Sequence, residues 1–244
     1  MLNLRRGRYH ARIARSPADR EAALALRALC FRGGTRPDED VHDAFCHHVL
    51  VEEGGSAAPV CTFRLLPLAA GREIGRSYSA QYYGLSALRD FDGPMVEMGR
   101  FCIAPGRRDP DILRVAWGAM AAWVDDHDVR LLFGCSSFGG TEAEAYADAF
   151  ALLRERHLAP RRWLPRVKAP DVFRFACGRR RKPDLRRAML AMPPLLRSYL
   201  LMGGWVSDHA VVDRDLDTLH VFTGLETGAI PPARKRLLRG VAAG

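Results

Sequence analysis

The sequence predicts a single domain of the α/β or α+β class. Apolar residues recur at helical spacing in three separate stretches, and short apolar runs of strand character lie between them. This alternation over 244 residues, without an internal repeat or an evident linker, is typical of one mixed domain. We expect the domain to span residues 1–225 and residues 226–244 to form a polar tail.

The first half of the chain begins with a helix followed by a hairpin. Ser16 is suited to cap a helix whose first turn contains Pro17, and apolar residues continue at helical spacing as far as Phe31. Gly33 and Gly34 then end the helix. The other elements predicted here are strands over 48–52 and 60–66 joined by a turn at Gly54-Gly55-Ser56, an irregular segment over 71–93 and a strand over 95–103.

The second half contains the clearest helix, which opens at Asp109-Pro110-Asp111 and carries an apolar face from Ile112 to Val124. A helix over 141–157 is predicted from Thr141 as its cap and Glu144 three residues later. The remaining predictions are strands over 129–135, 172–177, 209–213 and 219–223.

The charge and cysteine content narrow the class of protein. The 37 basic and 28 acidic residues give a net charge of +9, which favours an acidic partner such as nucleic acid, anionic lipid or an acidic carrier protein. Six scattered cysteines without a CxxC pair predict reduced thiols and no structural zinc site. The start lacks an apolar core of signal-peptide length, and no apolar run approaches the roughly 20 residues of a membrane span, so we expect a cytoplasmic protein.

Two groups of charged residues interrupt apolar segments. Glu97 and Arg100 lie inside a predicted strand, where a kink at Gly99 would bring both onto one side. A buried charge needs a partner or a ligand, so this pair is either a structural ion pair, an exposed edge or a functional site. The second group is either one polar site or a set of unrelated solvated charges, and it comprises Arg27, Asp40, Asp43 and Arg64.

Other candidates carry weaker signals. His42 and Cys46 have the spacing of two ligands on one helix face, with His47 beside them, but no third metal ligand is evident. Cys135-Ser136-Ser137 follows a predicted strand and we interpret it as lining a pocket. The basic run 179–187 is either a solvated turn or a contact with anionic lipid or nucleic acid.

These residues together resemble a known pattern. The order Arg27, Phe31, Asp40-x-x-Asp43, Arg64 and Glu97-x-x-Arg100 is similar to that of the acyl-homoserine-lactone synthases. A related family, the L-ornithine Nα-acyltransferases of bacterial ornithine lipid synthesis, is resembled more closely. The motifs that carry this resemblance, over residues 8–225, are Gln81-Tyr82-Tyr83, Glu97-Met98-Gly99-Arg100, the segment 133–138, the segment 192–196 and Tyr199-Leu200-x-x-Gly203.

The resemblance implies a single-domain α/β fold similar to that of the Gcn5-related N-acetyltransferases, with a mixed central sheet flanked by helices on both faces. It also implies transfer of an acyl chain, with or without a 3-hydroxyl group, to the α-amino group of L-ornithine, giving lyso-ornithine lipid. The apolar segment 189–206 is then either ordinary core, the wall of an acyl tunnel or a membrane contact. The donor is acyl carrier protein with its own 4′-phosphopantetheine, and no permanently bound cofactor or metal is expected. Contact with the anionic inner face of the membrane follows from the lipid product.

The resemblance also assigns roles. Glu97 is the expected general base with Arg100 as its catalytic partner, and the residues expected to shape the acceptor site are Arg27, Asp40, Asp43, Arg64, Cys135, Ser136 and Ser137. The turn at 104–110 contains one glycine, where acetyltransferases that bind coenzyme A are glycine-rich. This departure suits a carrier-protein donor, whose phosphate or acidic helix Arg107 and Arg108 would contact.

Three alternatives remain. A related acyltransferase would take glycine, lysine or glutamine as its acceptor. An acyl-homoserine-lactone synthase usually has an aromatic residue soon after the first helix, whereas this chain has Arg32-Gly33-Gly34-Thr35 there. A basic nucleic-acid-binding module would not need charges inside strands, and the basic run 179–187 lacks aromatic residues that stack on bases.

Overall fold

A computed structural model describes residues 2–54, 56, 58–178 and 181–242. The strands are β1 Asn3–Arg6, β2 Tyr9–Ile13, β3 His47–Glu53, β4 Pro59–Leu68, β5 Tyr83–Gly84, β6 Met95–Ile103, β7 Leu131–Gly139, β8 Arg166–Val167, β9 Val172–Phe173, β10 Trp205–Asp213 and β11 Thr218–Glu226. The helices are α1 Pro17–Arg32, α2 Pro110–Asp126, α3 Ala147–Arg156, α4 Leu185–Ala191, α5 Pro194–Leu201 and α6 Pro232–Ala242. The predicted α/β class is confirmed.

The chain forms two compact units, each assembled from segments that are not contiguous in sequence. The first contains the residues up to Pro67, residues 96–129 and the residues from Pro231 onward, and the second contains residues 68–95 and 130–230. Because the chain passes between the units several times, no single linker marks a boundary in the sequence.

The first unit holds strands in the order β1-β2-β3-β4-β6. The pairs β1–β2, β2–β3 and β3–β4 are antiparallel, and their apolar side chains are almost completely buried. Helix α1 packs on β3, α2 contacts β1, β2 and β3, and α6 packs on α2. The first unit therefore contains α1, β4 and β6, the elements that carry the predicted charged residues Arg27, Arg64, Glu97 and Arg100.

Helix α1 starts where the sequence predicts it. The Ser16 side chain accepts a hydrogen bond from the Asp19 backbone N–H, and the Asp19 carboxylate accepts one from the Ser16 N–H. Pro17 occupies the first turn, where it loses no helical hydrogen bond. Gly33 ends the helix in the left-handed region with φ +58°, which glycine adopts without strain.

The second unit contains the antiparallel order β7-β11-β10-β9 and the short pair β5–β8. Helix α3 packs on α4, and α5 packs on β11. Their apolar core includes Phe138, Phe150, Met192, Leu196 and Val221. One face of the apolar segment 189–206 therefore belongs to the hydrophobic core, which is one of the three roles considered for this segment.

The structure corrects two details and adds one. Thr141 does not cap a helix, because the chain enters α3 through a 3₁₀ turn over Ala143–Tyr146. The Tyr146 hydroxyl at the end of this turn donates to the Gly139 carbonyl at 2.6 Å. The strand predicted over 172–177 pairs with β10 only at β9, Val172–Phe173. Within the segment expected as a polar tail, residues 232–242 form α6.

The irregular segment 71–93 is composed of short 3₁₀ turns around β5. Gly55 and Ala57 of the predicted hairpin turn, and Arg179 and Arg180 of the basic run, lie outside the described residues. In the part of the chain that is described, no helix has both the length and the apolar character that crossing a membrane requires.

Candidate active site

Strand β6 of the first unit carries Glu97 and Arg100. Glu97 is buried, and Arg100 is in the left-handed region with φ +53°, which is rare for a residue with a side chain. A regular strand would direct residues 97 and 100 to opposite faces, and a left-handed residue breaks that alternation. The sequence predicts a kink at Gly99, and the structure has its left-handed residue one position later.

The carboxylate of Asp38, in the loop after α1, is hydrogen-bonded to three guanidinium groups. It accepts hydrogen bonds from Arg27 Nε at 3.0 Å, from Arg32 Nε at 3.2 Å and from Arg100 Nε at 2.9 Å. The side chain of Asp38 is almost completely buried. Asp38 therefore joins two residues of helix α1 to the left-handed position of β6.

Asp40 and Asp43 complete the ion-pair cluster. Arg27 binds both oxygens of Asp43, at 2.6 and 3.1 Å, and Arg64 of β4 binds both oxygens of Asp40, at 2.6 and 2.8 Å. Arg64 Nη1 also reaches Asp43 at 2.7 Å, and Arg100 Nη2 reaches Asp40 at 3.3 Å. Bidentate pairs of this kind fix the orientation as well as the charge of both partners.

Local backbone structure orients the carboxylates of Asp40 and Asp43. A 3₁₀ helix over Val41–Phe45 starts at Asp40, whose side chain accepts from the His42 N–H at 3.0 Å. The Asp43 carboxylate accepts from the Asp40 N–H at 2.8 Å, so the two residues cap one another. The spacing Asp40-x-x-Asp43 is therefore a capping box that also presents two carboxylates to the arginines.

The arginines of the cluster lower the pKa values of Asp40 and Asp43. Burial alone would raise the pKa of Asp43, but hydrogen bonds from Arg27 and the charge of Arg64 outweigh burial and lower it well below its ordinary value. Burial and Arg64 oppose one another at Asp40 in the same way, and its pKa is also lowered. Burial lowers the pKa of His48, which lies 3.4 Å from the Asp43 carbonyl, so that imidazole is neutral at pH 7.

Three members of the cluster remain partly accessible to solvent. The side chain of Asp40 is 23% exposed and those of Arg32 and Arg100 are each 10% exposed, whereas those of Arg27, Asp43 and Arg64 are at most 3% exposed. The Arg100 guanidinium lies 5.9 Å from the ring centre of Phe31. A small charged molecule can therefore meet one carboxylate and one guanidinium of the cluster without entering its interior.

The structure brings together Arg27, Asp40, Asp43, Arg64 and Arg100, which the sequence predicts as two groups. Arg64 also lies against the strand at Gly99, since a Cβ there would be 3.4 Å from Arg64 Nε. Glu97 acts on Cys46 electrostatically: burial raises the pKa of Cys46 to about 12, and the charge of Glu97 adds to that rise. Sequence reasoning missed Asp38 and Arg32, although the acidic loop after α1 was a signal that its carboxylates face a basic partner.

His42, Cys46 and His47, whose spacing would suit one helix face, lie in different elements. His42 lies in the 3₁₀ helix, Cys46 follows that helix and His47 begins β3, so the three residues share no α-helical face. Among the described residues, no group of three or more histidine, cysteine or acidic side chains is arranged to hold a metal ion.

The turn after β6 places Arg107 and Arg108 on the surface of the first unit. Arg107 pairs with Glu53 at 2.8 Å. Helix α2 begins directly afterwards with Asp109 as its cap, and the Asp109 carboxylate accepts from the Asp111 N–H and the Tyr9 hydroxyl, each at 2.9 Å. The start of α2 is thus already occupied by a carboxylate.

Cys135, Ser136 and Ser137 lie within β7 of the second unit and not after a strand, because β11 pairs with β7 over its whole length. The Ser136 hydroxyl accepts from Thr223 Oγ1 at 2.9 Å, Cys135 Sγ lies 3.4 Å from Ser79 Oγ, and Ser137 is exposed. Their predicted role in lining a pocket stays a prediction.

Comparisons with known proteins bear on this geometry. Residues 30–118 match the acetyltransferase (GNAT) domain. An L-ornithine Nα-acyltransferase of Rhodobacter capsulatus is 32% identical over 238 residues, which span 91% of each chain. This chain belongs to the L-ornithine Nα-acyltransferase family. A second relative of the same name, from Rhizobium meliloti, is 30% identical over 90% of this chain and 80% of its own.

Membership of the L-ornithine Nα-acyltransferase family confirms the resemblance carried by the motifs, and the protein is an N-acyltransferase. A solved structure supports the fold: FeeM, an N-acyl amino acid synthase from uncultured soil microbes, aligns over 91% of this chain and 93% of its own with a TM-score of 0.54. At 10% sequence identity this similarity shows the fold alone.

Proposed function

We propose that this protein transfers a 3-hydroxyacyl chain from acyl carrier protein to the α-amino group of L-ornithine, giving lyso-ornithine lipid, in the first step of ornithine lipid synthesis. The observation that carries the proposal is the pair of partly accessible opposite charges, Asp40 and Arg100, which lie 3.3 Å apart in a mostly buried cluster. Ornithine carries a carboxylate that complements a guanidinium and a side-chain ammonium that complements a carboxylate.

In this proposal, Arg100 faces the ornithine carboxylate and Asp40 faces its δ-ammonium. Arg27, Asp43 and Arg64 hold the two contact residues in place, since their own charges are paired with one another. Fixing both ends of ornithine leaves the α-amino group to react and protects the δ-amine from acylation.

Glu97 is the proposed general base. It accepts a proton from the α-ammonium, directly or through a water molecule, and the freed nitrogen attacks the thioester carbonyl. The C–N bond forms to give a tetrahedral oxyanion, whose collapse breaks the C–S bond. The phosphopantetheine thiolate leaves and takes up the proton that the new amide nitrogen loses. Backbone N–H groups between Gly99 and Cys102 are the proposed donors to the oxyanion. The transfer is direct and requires no acyl-cysteine.

The start of α2 supports a carrier-protein donor. Pro110 has no N–H, and the Asp109 carboxylate takes the position at which an anionic diphosphate would bind a helix N-terminus. Coenzyme A would bring such a diphosphate close to this carboxylate, whereas a carrier protein brings one phosphate and an acidic surface. The exposed Arg107 and Arg108 precede this helix and are the proposed contacts for that surface.

The direct test is acyl transfer with purified protein. We expect N-acylornithine, detected by mass spectrometry, from 3-hydroxyacyl carrier protein and L-ornithine, with slower transfer from the matching acyl-coenzyme A. Glycine, lysine and glutamine serve as competing acceptors. Faster acylation of one of them than of ornithine would contradict the proposed acceptor.

A variant tests the base. Glu97→Gln keeps the size of the side chain and removes its basicity, which typically lowers the rate by about 10²–10⁴-fold. A folded variant with the wild-type rate would remove Glu97 from this role. Expression in a host that lacks ornithine lipid, followed by lipid extraction, tests the product, because a new ninhydrin-positive lyso-lipid with the mass of acylated ornithine is expected.

We further propose that the second unit contacts an anionic membrane, where the lipid product leaves. Leu190 and Leu201 are 75% and 54% exposed, and Leu185 and Met189 of the same α4–α5 surface are also exposed. Arg186 and Arg187 are exposed on α4 among these side chains. An arginine near an anionic surface contributes about 1 kcal/mol to binding, and the apolar side chains add their transfer into the lipid.

Co-sedimentation with vesicles tests this contact. We expect binding to anionic vesicles at low salt, weakened by Leu190→Glu. Val41→Glu, at an exposed apolar residue of the first unit, is the matched control and leaves binding unchanged. Equal loss in both variants, or no binding of the wild type, would contradict the membrane contact.

A further inference from the structure

Three cysteines of the first unit lie together, next to the ion-pair cluster but outside the proposed chemistry. Cys30 is in the last turn of α1, Cys61 is in β4 and Cys102 is in β6. The backbone bond from the Ala104 N–H to the Val60 carbonyl, 2.8 Å long, places the end of β6 beside the start of β4. Cys30 projects from the helix onto these two strands.

The contacts of Cys30 single out one partner. Its thiol donates to the Ile103 carbonyl at 3.4 Å, which places the sulfur beside the backbone immediately after Cys102. Cys30 and Cys102 are also close enough that each shifts the pKa of the other. Cys30 acts on Cys61, and Cys61 acts on Cys102, through charge alone.

The two thiols differ in accessibility and in ionisation. Cys30 is partly exposed, whereas Cys102 is buried. Interaction with Cys102 lowers the pKa of Cys30. Interaction with Cys30 and burial raise the pKa of Cys102. Cys30 is thus the nucleophile that solvent can reach, and Cys102 is a protonated thiol beside it.

We propose that Cys30 and Cys102 form a reversible disulfide that links α1 to β6 when a hydroperoxide reaches Cys30. The Cys30 thiolate attacks one peroxide oxygen, the O–O bond breaks, and the sulfur becomes a sulfenic acid while an alcohol or water leaves. The Cys102 sulfur then attacks the Cys30 sulfur, the S–S bond forms, and water leaves with the hydroxyl and the thiol proton. Two electrons pass from the thiols to the peroxide.

The position of this bond makes it relevant to the enzyme. Cys30 follows Arg27 by three residues on α1, and Cys102 follows Arg100 by two residues on β6. A covalent bond between them restrains both elements that meet at Asp38. The proposal concerns the covalent bond itself, so its test does not depend on which acyl group or acceptor the enzyme uses.

Peptide mapping of the folded wild-type protein tests the pairing. The protein is treated with one equivalent of hydrogen peroxide, its remaining thiols are blocked with N-ethylmaleimide after denaturation, and it is digested with trypsin. Cleavage after arginine separates Cys30 in 28–32, Cys102 in 101–107 and Cys177 in 175–179, and leaves Cys46 and Cys61 together in 33–64. We expect one species in which 28–32 and 101–107 are joined, with maleimide labelling lost from both cysteines together and restored by dithiothreitol.

Two variants sharpen the result. In Cys102→Ser the Cys30 sulfenic acid has no partner thiol on β6, and we expect it to accumulate and react with dimedone. In Cys177→Ser, which removes an exposed cysteine of the second unit, the joined peptides form as in the wild type. A bond between 28–32 and 33–64, or undiminished labelling of Cys30 and Cys102 while Cys177 is oxidised, would overturn the proposal.

Discussion

Replacing Asp38 with asparagine tests whether the ion-pair cluster holds the first unit together. The change keeps the size of the side chain but removes the charge that Arg27, Arg32 and Arg100 share. All three guanidinium groups are at most 10% exposed, so water cannot replace the missing carboxylate fully.

The expected loss follows from this burial. Removing one partner of a buried ion pair typically costs about 3–5 kcal/mol, and a whole domain is stable by only about 5–15 kcal/mol. For a protein of 244 residues, about 2–4 °C of Tm per kcal/mol predicts a fall of roughly 6–20 °C. We therefore expect Asp38→Asn to fold at low temperature and to unfold far below the wild type.

Urea unfolding followed by circular dichroism measures the free energy of unfolding. The matched control is Glu39→Gln, which removes the neighbouring carboxylate of an exposed pair with Arg20. Exposed pairs contribute about 0–1 kcal/mol, so the control should nearly match the wild type. If Asp38→Asn loses no more than Glu39→Gln, the cluster does not hold this unit together and its charges have another purpose.

Three further predictions concern acid, the acceptor and a tight turn. Because the folded pKa values of Asp40 and Asp43 lie below their ordinary values, their stabilisation is present above about pH 4 and is lost as pH falls further, which an acid titration of unfolding free energy will show. Arg64→Ala frees Asp40 from its bidentate partner and should raise KM for ornithine, and an unchanged KM would contradict this role. Gly71→Ala places a Cβ 2.2 Å from the Leu88 carbonyl and should cost about 1–3 kcal/mol or more, whereas Gly75→Ala meets nothing within 4 Å and should be near neutral by thermal unfolding.

Local signals in the sequence predicted the elements whose ends and faces are encoded nearby. The capping box at Ser16 predicts the start of α1, and Asp109-Pro110 predicts the start of α2. Strand β1 was not predicted, because Asn3–Arg6 contains a single apolar residue. Strand β2 was missed although its residues alternate between apolar and polar from Tyr9 to Ile13, a pattern that indicates a half-buried strand. They are strands because β3 supplies the adjacent hydrogen-bonding edge, which is a long-range cause.

The same distinction holds at the candidate site. A charge inside an apolar strand is visible locally, so Arg64, Glu97 and Arg100 could be selected from the sequence. Asp38 could not, because its partner Arg100 lies 62 positions away and nothing in the loop separates it from Glu39, whose side chain is exposed. Which of two neighbouring carboxylates turns inward is decided by packing, and no short pattern records it.

The partial exposure of Arg100 leads to a prediction about the acceptor. The Arg100 side chain is 10% exposed, whereas the side chains of Arg27 and Arg64 are at most 3% exposed, so of these three guanidinium groups Arg100 is the one that an anion can reach.

Under the proposed function that anion is the ornithine carboxylate. The compound 1,4-diaminobutane is ornithine without its carboxylate, and we expect it to react with a kcat/KM lower by about 10–150-fold. This factor corresponds to the loss of one charged hydrogen bond, about 1.5–3 kcal/mol. Arg100→Ala should lower kcat/KM for ornithine by a similar factor and leave that for the diamine almost unchanged. Equal losses on both acceptors would mean that Arg100 supports the strand or the chemistry and does not contact the carboxylate, because only a direct contact makes the effect of the variant depend on that group.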